Sequence, residues 1–521
     1  MIRFKWITLA AYIYLVLPFV IFCLGWIRIP LNLLSAILIC FISFQILRQI
    51  FKASTNEPGI QLRSFIFPVI LLGIWVLFSG IGGFTFQNSD FNARNAIFRD
   101  LINEPWPVIY SPSQSNHIFP GHSQIMLVYY FGYWLPAALI GKLAGWGGAN
   151  AFLYFWSWLG TILVVMLLAK KLRKSPYLPT LFLIFFSGMD ILGELLLIGN
   201  NRQNLEFPAL SYIWPPIQHL EWWAQHMEYS SFTTQIYWVF NQALPAWLCM
   251  AIFVNGIDRR HIAFLWALCF FYAPLPAVGM FPFVMIVMFK RDTQKQITDL
   301  KKNSFLQRTI GGLNTAWQQT RQVLSFENVL GGGVIILVAY LFFSSNLAIQ
   351  RSGILNISPI MLLLFDILEF GMVWVILLPL HFKNLRWYLI GILLSFLPLL
   401  RVGFGPDISM RASIPALFLL MVAAAEGLYL LKGKKRLLLI ICLVIGAATP
   451  IYEINRSIAR TAAYYFFPNN PKTQELLSYN EPRPIDELTA DEIGSISNCR
   501  NCVNFVGDGH DSLFYRYLAR K

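Results

Sequence analysis

Long apolar runs separated by short polar segments dominate the pattern of the chain. A run of roughly 20 apolar residues can cross the hydrocarbon core of a bilayer as a helix. Most of these runs far exceed the roughly 10-residue alternating strands of a membrane barrel. The pattern therefore predicts an all-α polytopic membrane protein. Fourteen runs are recognisable, at 6–26, 30–47, 64–84, 124–145, 149–169, 176–198, 236–255, 261–274, 276–289, 328–344, 357–380, 386–400, 412–431 and 436–451.

The composition agrees with this class. Hydrophobic residues make up 57% of the 521 positions and charged residues only 13%, and the mean hydropathy is +0.57. A soluble domain carries about 25% charged residues. Soluble enzymes, disordered scaffolds and secreted disulfide-rich modules are thereby excluded.

Basic residues outnumber acidic ones, with 40 Lys and Arg against 26 Asp and Glu and a net charge of +14. In a polytopic membrane protein such an excess is typical of cytoplasmic loops, so it does not point to nucleic acid as a partner. The positions of the basic residues therefore report the topology.

The run 124–145 decides the number of spans. If it crosses the membrane, the basic cluster 170–174 falls on the side opposite to Arg3 and Lys5. If it lies at the interface, all the basic clusters fall on the same side of the membrane, and 24 of the 40 Lys and Arg residues line the inner face. Its Tyr and Trp residues and its central Pro136 suit the headgroup level. We therefore expect about 13 transmembrane helices, an inner amino terminus and an outer carboxyl terminus.

This topology divides the chain into a transmembrane domain, 1–451, and a small outer cap, 452–521. The domain has two long outer loops, 85–148 and 199–235, and a basic amphipathic inner loop, 290–326. We expect the inner loop to lie on anionic lipid as a surface helix.

A C-x-x-C pair in the outer cap is a disulfide candidate, because the outer side of a cell membrane is oxidising. The pair consists of Cys499 and Cys502. The other five cysteines lie within or at spans and are expected to fill apolar gaps.

The first outer loop contains a carboxylate that lies directly outside the membrane. Asp90 follows the run 64–84 by six residues, and an amphipathic helix is predicted over 92–102. Two interpretations remain open at this point. Asp90 either caps that helix, or it performs chemistry at the membrane surface.

Ionisable residues within spans are rare and indicate function or a buried polar contact. Asp190 and Glu194 lie near the outer end of the run 176–198 and share one helical face. They either bind a ligand or bond to nearby loop backbone. Asp366 and Glu369, three residues apart, are expected on one face of their helix, with no role assigned.

The loop 199–235 is rich in aromatic and polar residues. Its Glu221, His226 and Glu228 are of the types that bind metals or hydroxylated acceptors, although their spacing matches no zinc motif. Its aromatic residues predict either a platform that stacks on sugar rings or an interface belt. The candidates for stacking are Trp222, Trp223 and Tyr229.

Arginines at the outer mouth of two spans form the fourth group of candidates. Arg401, Asp407 and Arg411 lie between the runs 386–400 and 412–431. An arginine there can bind phosphate bidentately, or it can pair with Asp407 and fix the loop.

The order of these segments resembles the GT-C superfamily of membrane glycosyltransferases, particularly protein O-mannosyltransferases and the lipid A aminoarabinose transferase. Asp90 is followed by NARNAIFRDLI, then by FPGHSQIMLVYYFGYWLPAALIGKLAG, then by ANAFLYFWSWLGTILVVMLLAKKLRK. The resemblance covers about residues 64–200, and the rest only as topology. The chain departs from the family in having two spans before the acidic loop, and in having Phe91 where many members have a second acid.

The resemblance implies an inverting glycosyltransferase that takes a sugar from a polyprenyl-phosphate donor at the outer face of the cell membrane. Asp90 would be the base, and Arg411, Arg401 and Arg94 would bind the donor phosphate. The acids Asp190, Glu194, Glu221 and Glu228, with His226, would hold the acceptor or a divalent cation such as Mg²⁺ or Mn²⁺. The acceptor would be a lipid, a glycan or a protein.

Two other classes compete with this interpretation. A polysaccharide polymerase or ligase has many spans and arginines in an outer loop, but that loop usually falls later in the chain. A flippase or transporter of lipid-linked glycans needs broken helices, which the prolines in 272–283 permit, but no inverted repeat is present. A glycosyltransferase requires Asp90 and Arg411 to face one outward-open cavity that has a groove on its lipid side.

Overall fold

The computed structural model describes residues 2–53, 59–110, 124–197, 219–289, 317–348, 352–402, 406–466 and 504–521. The protein is about 78% helical and has no closed barrel. Among the described residues, eight helices are long and apolar enough to cross a membrane. The prediction of an all-α polytopic membrane protein is confirmed at this level, whereas the number of 13 crossings stays a prediction.

The helices follow the predicted runs closely. In chain order they are α1 (Phe4–Trp26), α2 (Leu31–Ala53), α3 (Ile66–Leu77), α4 (Phe91–Asn103), α5 (Leu135–Leu172), α6 (Tyr177–Phe185), α7 (Asp190–Leu197), α8 (Phe232–Val254), α9 (Ile262–Tyr272), α10 (Pro274–Phe289), α11 (Gly333–Phe343), α12 (Pro359–Asp366), α13 (Met372–His381), α14 (Leu385–Phe396), α15 (Asp407–Ala412), α16 (Ile414–Leu430), α17 (Gly433–Gly446), α18 (Ala448–Phe466) and α19 (Leu513–Tyr517).

Short strands join distant parts of the chain. They are β1 (Ile2–Arg3), β2 (Gly59–Ile60), β3 (Ile109–Tyr110), β4 (Ile125–Leu127), β5 (Ser352–Ile354), β6 (Leu400–Val402) and β7 (Val506–Asp508). All pairs are antiparallel, in the orders β1-β2, β3-β4-β7 and β5-β6.

The run 124–145 does not form one spanning helix. It contains strand β4, a 3₁₀ turn at Phe131–Trp134 and the first residues of α5. Gly145 has a φ of 69°, which interrupts α5. The ten helical residues before Gly145 rise about 15 Å, half the hydrocarbon thickness of about 30 Å. This geometry agrees with a segment at the interface.

The run 176–198 is not one continuous helix, contrary to the expectation. Helix α6 ends at Phe185 and α7 begins at Asp190, so Asp190 starts a new helix instead of lying near the end of a long one. Ser187 and Gly188 are poor helix formers. The Ser187 hydroxyl donates to Asp190 Oδ2 at 3.1 Å, and the backbone of Gly188 lies directly against Glu369.

The last described residues belong to the body of the fold. Strand β7 completes the sheet of the first long loop by pairing with β4. The backbone N–H of Arg520 donates to the carbonyl of Trp26, the last residue of α1, at 2.8 Å. The 23 residues of α1 span about 35 Å. Residues 4 and 520 therefore lie at opposite ends of α1.

Helix α8 is the centre of the bundle. Of its most apolar 18 residues, 94% are buried, and α1, α5, α6, α9, α16 and α18 contact it. By contrast, α2 exposes large apolar side chains such as Leu34, Ile37 and Phe44, as expected of a lipid-facing helix. Function in a bundle of this kind depends on how the central helix departs from regularity.

We predict that Phe514→Ala lowers the free energy of unfolding by about 3 kcal/mol, because it empties a fully buried aromatic site. Phe514 packs between Phe22 of α1 and Phe342 of α11, with ring centroids 6.2 and 5.2 Å away. Thermal unfolding in detergent measures the effect. Tyr517→Ala is the matched control, because Tyr517 is 61% exposed on the same short helix. Equal melting temperatures for the two variants would contradict the docking of this helix.

Candidate functional site

Side chains of the first long loop bond to backbone carbonyl groups at a break in the central helix α8. At Val239 the backbone has φ −139° and ψ 34°, outside helical values, so the ladder of i→i+4 hydrogen bonds is interrupted there. Asn88 Nδ2 donates to the carbonyl of Tyr237 at 2.9 Å, and Arg94 donates to the carbonyl of Trp238. The loop is thus fixed to the middle of the bundle by side-chain donors.

Asp90 lies at the start of α4, where the sequence left a cap and a chemical role open. It occupies the N-cap position, but its side chain accepts no hydrogen bond from the helix backbone. Instead Asp90 Oδ2 accepts from Arg94 Nη2 at 2.7 Å. The Asp90 side chain is 46% exposed, whereas that of Arg94 is 6% exposed. The carboxylate is therefore oriented by a buried cation and open to solvent.

Arg94 was expected to bind the donor phosphate. In this structure its guanidinium is engaged by Asp90 and the Trp238 carbonyl, and it lies against the rings of Phe91 and Phe240 at 5.4 and 5.6 Å. The arrangement makes Arg94 the group that orients Asp90.

A second ion pair also lies within electrostatic range of Tyr129. Arg411 Nη1 and Asp407 Oδ1 are 2.9 Å apart on the short helix α15. Burial raises the pKa of Tyr129, while the nearby positive charges of Arg94 and Arg411 lower it. The pairs Asp90–Arg94 and Asp407–Arg411 are thus both within electrostatic range of this one phenol.

Arg411 remains firmly charged. Burial alone would lower its pKa, but Asp407, the phenols of Tyr129 and Tyr130, and Asp90 raise the pKa above its ordinary value. Arg411 Nε has no hydrogen-bonding partner among the described residues. Such a guanidinium can bind an anion while it stays paired with Asp407.

Arg401 lies in strand β6, which contacts α15. Its neighbours Leu400 and Val402 pack against Ile408 and Ala412 of α15. Because strand residues alternate between faces, Arg401 projects from the opposite face of β6.

Two buried glutamates precede α8. Glu221 Oε1 accepts from the N–H of Ser231 and the hydroxyl of Thr234 at 2.8 and 2.7 Å, so it caps the amino end of α8. Glu228 accepts from the Ser230 hydroxyl at 2.9 Å. Burial raises the pKa of both, that of Glu228 to about 7.

Glu228 connects two groups of charges. Apart from burial, Asp190 and Asp407 raise its pKa, while the Ser230 hydroxyl and Arg411 lower it. Its carboxyl is therefore within electrostatic range of both the Arg411 pair and the acid at the start of α7.

Asp190 is enclosed rather than open to a ligand. The Thr449 hydroxyl donates to Asp190 Oδ2 at 2.7 Å, and the carboxyl of Glu369 hydrogen-bonds Asp190. Two carboxyl groups form such a bond only when one carries a proton. Glu194, four residues later, is also buried.

Glu369 and Asp366 do not share a face, contrary to the expectation. A π-helical turn, Ile367–Gly371, separates α12 from α13. The i→i+5 bonds of a π-helix widen the turn and change which residues align. Glu369 faces Asp190 and accepts from Trp223 Nε1 at 2.8 Å, whereas Asp366 faces a groove on the surface of the bundle.

The aromatic candidates of the second long loop divide into two classes. Trp222 is 46% exposed and keeps an open face. Trp223 and Tyr229 are enclosed, so neither offers an open ring in this structure. His226 is exposed. Within the described ranges, no three His, Cys, Asp or Glu side chains are arranged to hold a metal ion. Cys499 and Cys502 lie outside the described residues.

A hydrogen-bonded network that was not predicted from the sequence contacts Trp238. His219 Nδ1 and Glu453 Oε1 are 2.7 Å apart, and Arg456 Nη2 donates to Glu453 Oε2 at 2.6 Å. The His219 ring lies 4.3 Å from that of Trp238. Burial lowers the pKa of His219, although Glu453 opposes the shift, so the imidazole is neutral at pH 7. The available signal was the i,i+3 spacing of Glu453 and Arg456 directly after the last apolar run.

No protein-family model, curated protein or solved structure matches the chain.

We predict that Glu228→Gln flattens the pH dependence of stability. Because folding raises the pKa of Glu228 from 4.5 to about 7, the folded state holds a proton that the unfolded chain releases. The free energy of unfolding therefore falls as pH rises from about 4.5 to 7 and then levels off. Melting temperatures in detergent at pH 5 and pH 8 measure this slope.

The matched control for that experiment is Glu104→Gln, at the end of α4, which should keep the wild-type slope. A wild-type slope in Glu228→Gln would show that other groups carry the pH dependence.

Proposed function

We propose that the chain is an inverting glycosyltransferase that moves a sugar from a polyprenyl-phosphate donor to an acceptor hydroxyl. The observation that carries the proposal is the arrangement around Tyr129. An exposed carboxylate, Asp90, and an arginine with an unused donor, Arg411, are both within electrostatic range of this phenol. A displacement of phosphate by a hydroxyl needs these two groups, a base and a cation for the leaving group.

The reaction follows from these positions. The Asp90 carboxylate accepts the proton of the acceptor hydroxyl as its oxygen attacks the anomeric carbon from the face opposite to the phosphate. The bond between the anomeric carbon and the phosphate oxygen breaks, and polyprenyl phosphate leaves with the electron pair. Arg411 neutralises the leaving phosphate, so no general acid is required. One displacement inverts the configuration at the anomeric carbon.

The remaining charged groups have positioning roles in this proposal. Arg94 holds Asp90 in one orientation. Trp222, with its open face, is the candidate for stacking on a sugar ring. Three further points stay predictions. They are that transfer takes place at the outer face of the cell membrane, that a divalent cation such as Mg²⁺ or Mn²⁺ takes part, and that Arg401 contacts the donor phosphate.

We predict that Asp90→Asn lowers the rate of sugar transfer about 10²- to 10⁴-fold, because it removes the base. Purified protein in liposomes is incubated with a panel of polyprenyl-phosphate sugars, and released polyprenyl phosphate is measured. Asp511→Asn, an exposed carboxylate that also pairs with an arginine, is the matched control and should keep wild-type activity.

Full turnover by Asp90→Asn would remove Asp90 from the role of base. Movement of a donor across the liposome bilayer without release of polyprenyl phosphate would instead favour a transporter, as the break between α6 and α7 at Asp190 also does.

We predict that Arg411→Gln lowers kcat about 10²- to 10³-fold, because the leaving phosphate loses its cation. Arg411→Lys should restore part of the loss, since it keeps the charge but not the bidentate geometry. Steady-state kinetics with the active donor measures both variants. The control is Arg260→Gln, whose partner Asp258 lies two residues away on an exposed turn. Equal losses in the Lys and Gln variants would contradict a role through charge.

A further inference from the structure

An apolar groove runs along the surface of the bundle between α12–α13 and α14. It encloses about 820 Å³ and is open along its length, and the residues that shape it include Asp366, Phe370, Trp374, Gly391 and Ser395. Its volume falls within the range of small-molecule sites, about 300 to 1,000 Å³. Because α13 and α14 expose large apolar side chains beside the groove, a membrane lipid is the molecule next to it.

The groove is built into the backbone and does not result from loose packing. The π-helical turn Ile367–Gly371 widens the helix along one wall. On the other wall, a Cβ at Gly391 would lie 3.1 Å from the ring of Trp374, so any side chain there would fill the floor.

The aromatic floor itself is fixed. Trp374 Nε1 donates to the carbonyl of Trp387 at 3.0 Å, and the two rings stack with centroids 5.9 Å apart. A rigid floor keeps the groove open when it is empty.

One carboxylate marks the end of the groove nearer to Pro359. Asp366 hydrogen-bonds the hydroxyl of Ser395, while its Oδ1 has no partner in the part of the chain that the structure describes. An ionisable side chain in an apolar membrane segment is costly, and an unsatisfied buried oxygen adds to that cost. A ligand that donates a hydrogen bond to Asp366 would remove the cost of the unsatisfied oxygen.

The same carboxylate selects among lipids. A phosphate close to Asp366 would be repelled, since like charges interact strongly in a medium of low dielectric constant. A hydroxyl group of an uncharged headgroup donates a hydrogen bond without that repulsion. Charge complementarity therefore favours a neutral lipid over the phosphate-linked donor.

The groove lies next to Tyr229. Tyr229 lies against Phe365 and Phe370, with ring centroids 5.0 and 6.5 Å away, and its hydroxyl donates to the carbonyl of Leu394. The preceding residue, Glu228, is within electrostatic range of Arg411.

We propose that this groove binds the hydrocarbon chain of a neutral, hydroxyl-bearing membrane lipid, whose headgroup donates a hydrogen bond to Asp366. The residues that line the groove do not include Arg411, to which the proposed function assigns the phosphate-linked donor. The two lipids therefore do not compete for one channel, a statement that rests on the proposed function.

The test is lipid retention, measured by native mass spectrometry of delipidated protein returned to defined nanodiscs. The probes are diacylglycerol and monoglucosyl diacylglycerol as neutral lipids, and undecaprenyl phosphate and phosphatidylglycerol as anionic ones. We expect the neutral probes to be retained by the wild type. Gly391→Leu, which fills the floor, and Asp366→Leu, which removes the acceptor oxygens, should each lower retention about tenfold.

Two variants serve as controls. Asp366→Asn keeps a carbonyl acceptor, so it should retain more lipid than Asp366→Leu. Leu363→Phe alters an exposed side chain of α12, outside the residues that line the groove, and should bind as the wild type does. Melting temperatures identify any variant that fails to fold, and a folded Gly391→Met then replaces Gly391→Leu.

Preferential retention of undecaprenyl phosphate that Gly391→Leu abolishes would overturn the proposal and assign the groove to the donor. Equal retention of all probes by wild type and Gly391→Leu would also overturn it, because the lipid would then be annular only. These outcomes do not depend on transfer activity. Loss of the groove assignment with intact Asp90-dependent transfer would leave the proposed function standing, and lipid binding without transfer would refute that function alone.

Discussion

The carbonyl groups of Tyr237 and Trp238, turned out of the regular ladder of α8 at Val239, hold the first long loop against the centre of the bundle. A regular helix would have bonded these oxygens internally and offered nothing to Asn88 and Arg94. Since Arg94 in turn orients Asp90, the position of the exposed carboxylate depends on one irregular residue in the most buried helix.

Charged groups in the protein follow two patterns, and each is a response to low polarity. Asp90, Asp407 and Glu453 each have an arginine within 3 Å, so burial of one charge is offset by its partner. Glu221 and Glu228 have only hydroxyl and N–H donors close by, and burial then raises the pKa and favours the neutral acid. The same low polarity therefore produces paired carboxylates where an arginine is close and favours neutral acids where none is.

Sequence reasoning predicted the features that depend on local pattern. The apolar runs located the helices. The run 124–145, which the charge distribution assigned to the interface, is divided among β4, a 3₁₀ turn and the start of α5. The i,i+4 spacing of Asp90 and Arg94 could have predicted their ion pair. The break at Ser187–Gly188 and the π-helical turn next to Glu369 were not predicted, because they depend on contacts between helices about 180 residues apart in the chain. The network of His219 with Glu453 was missed for the same reason.

The pairing of β7 with β4 sets an order on how the protein matures. Val128 and Tyr129 directly follow β4, and they contact Phe505 through a backbone bond of 2.9 Å and a ring contact of 5.0 Å. During synthesis, every membrane helix emerges from the ribosome before Phe505 does. The contacts of Val128 and Tyr129 with Phe505 therefore form only after these helices have been synthesised. A polypeptide truncated before Phe505 would contain the helices yet lack both contacts.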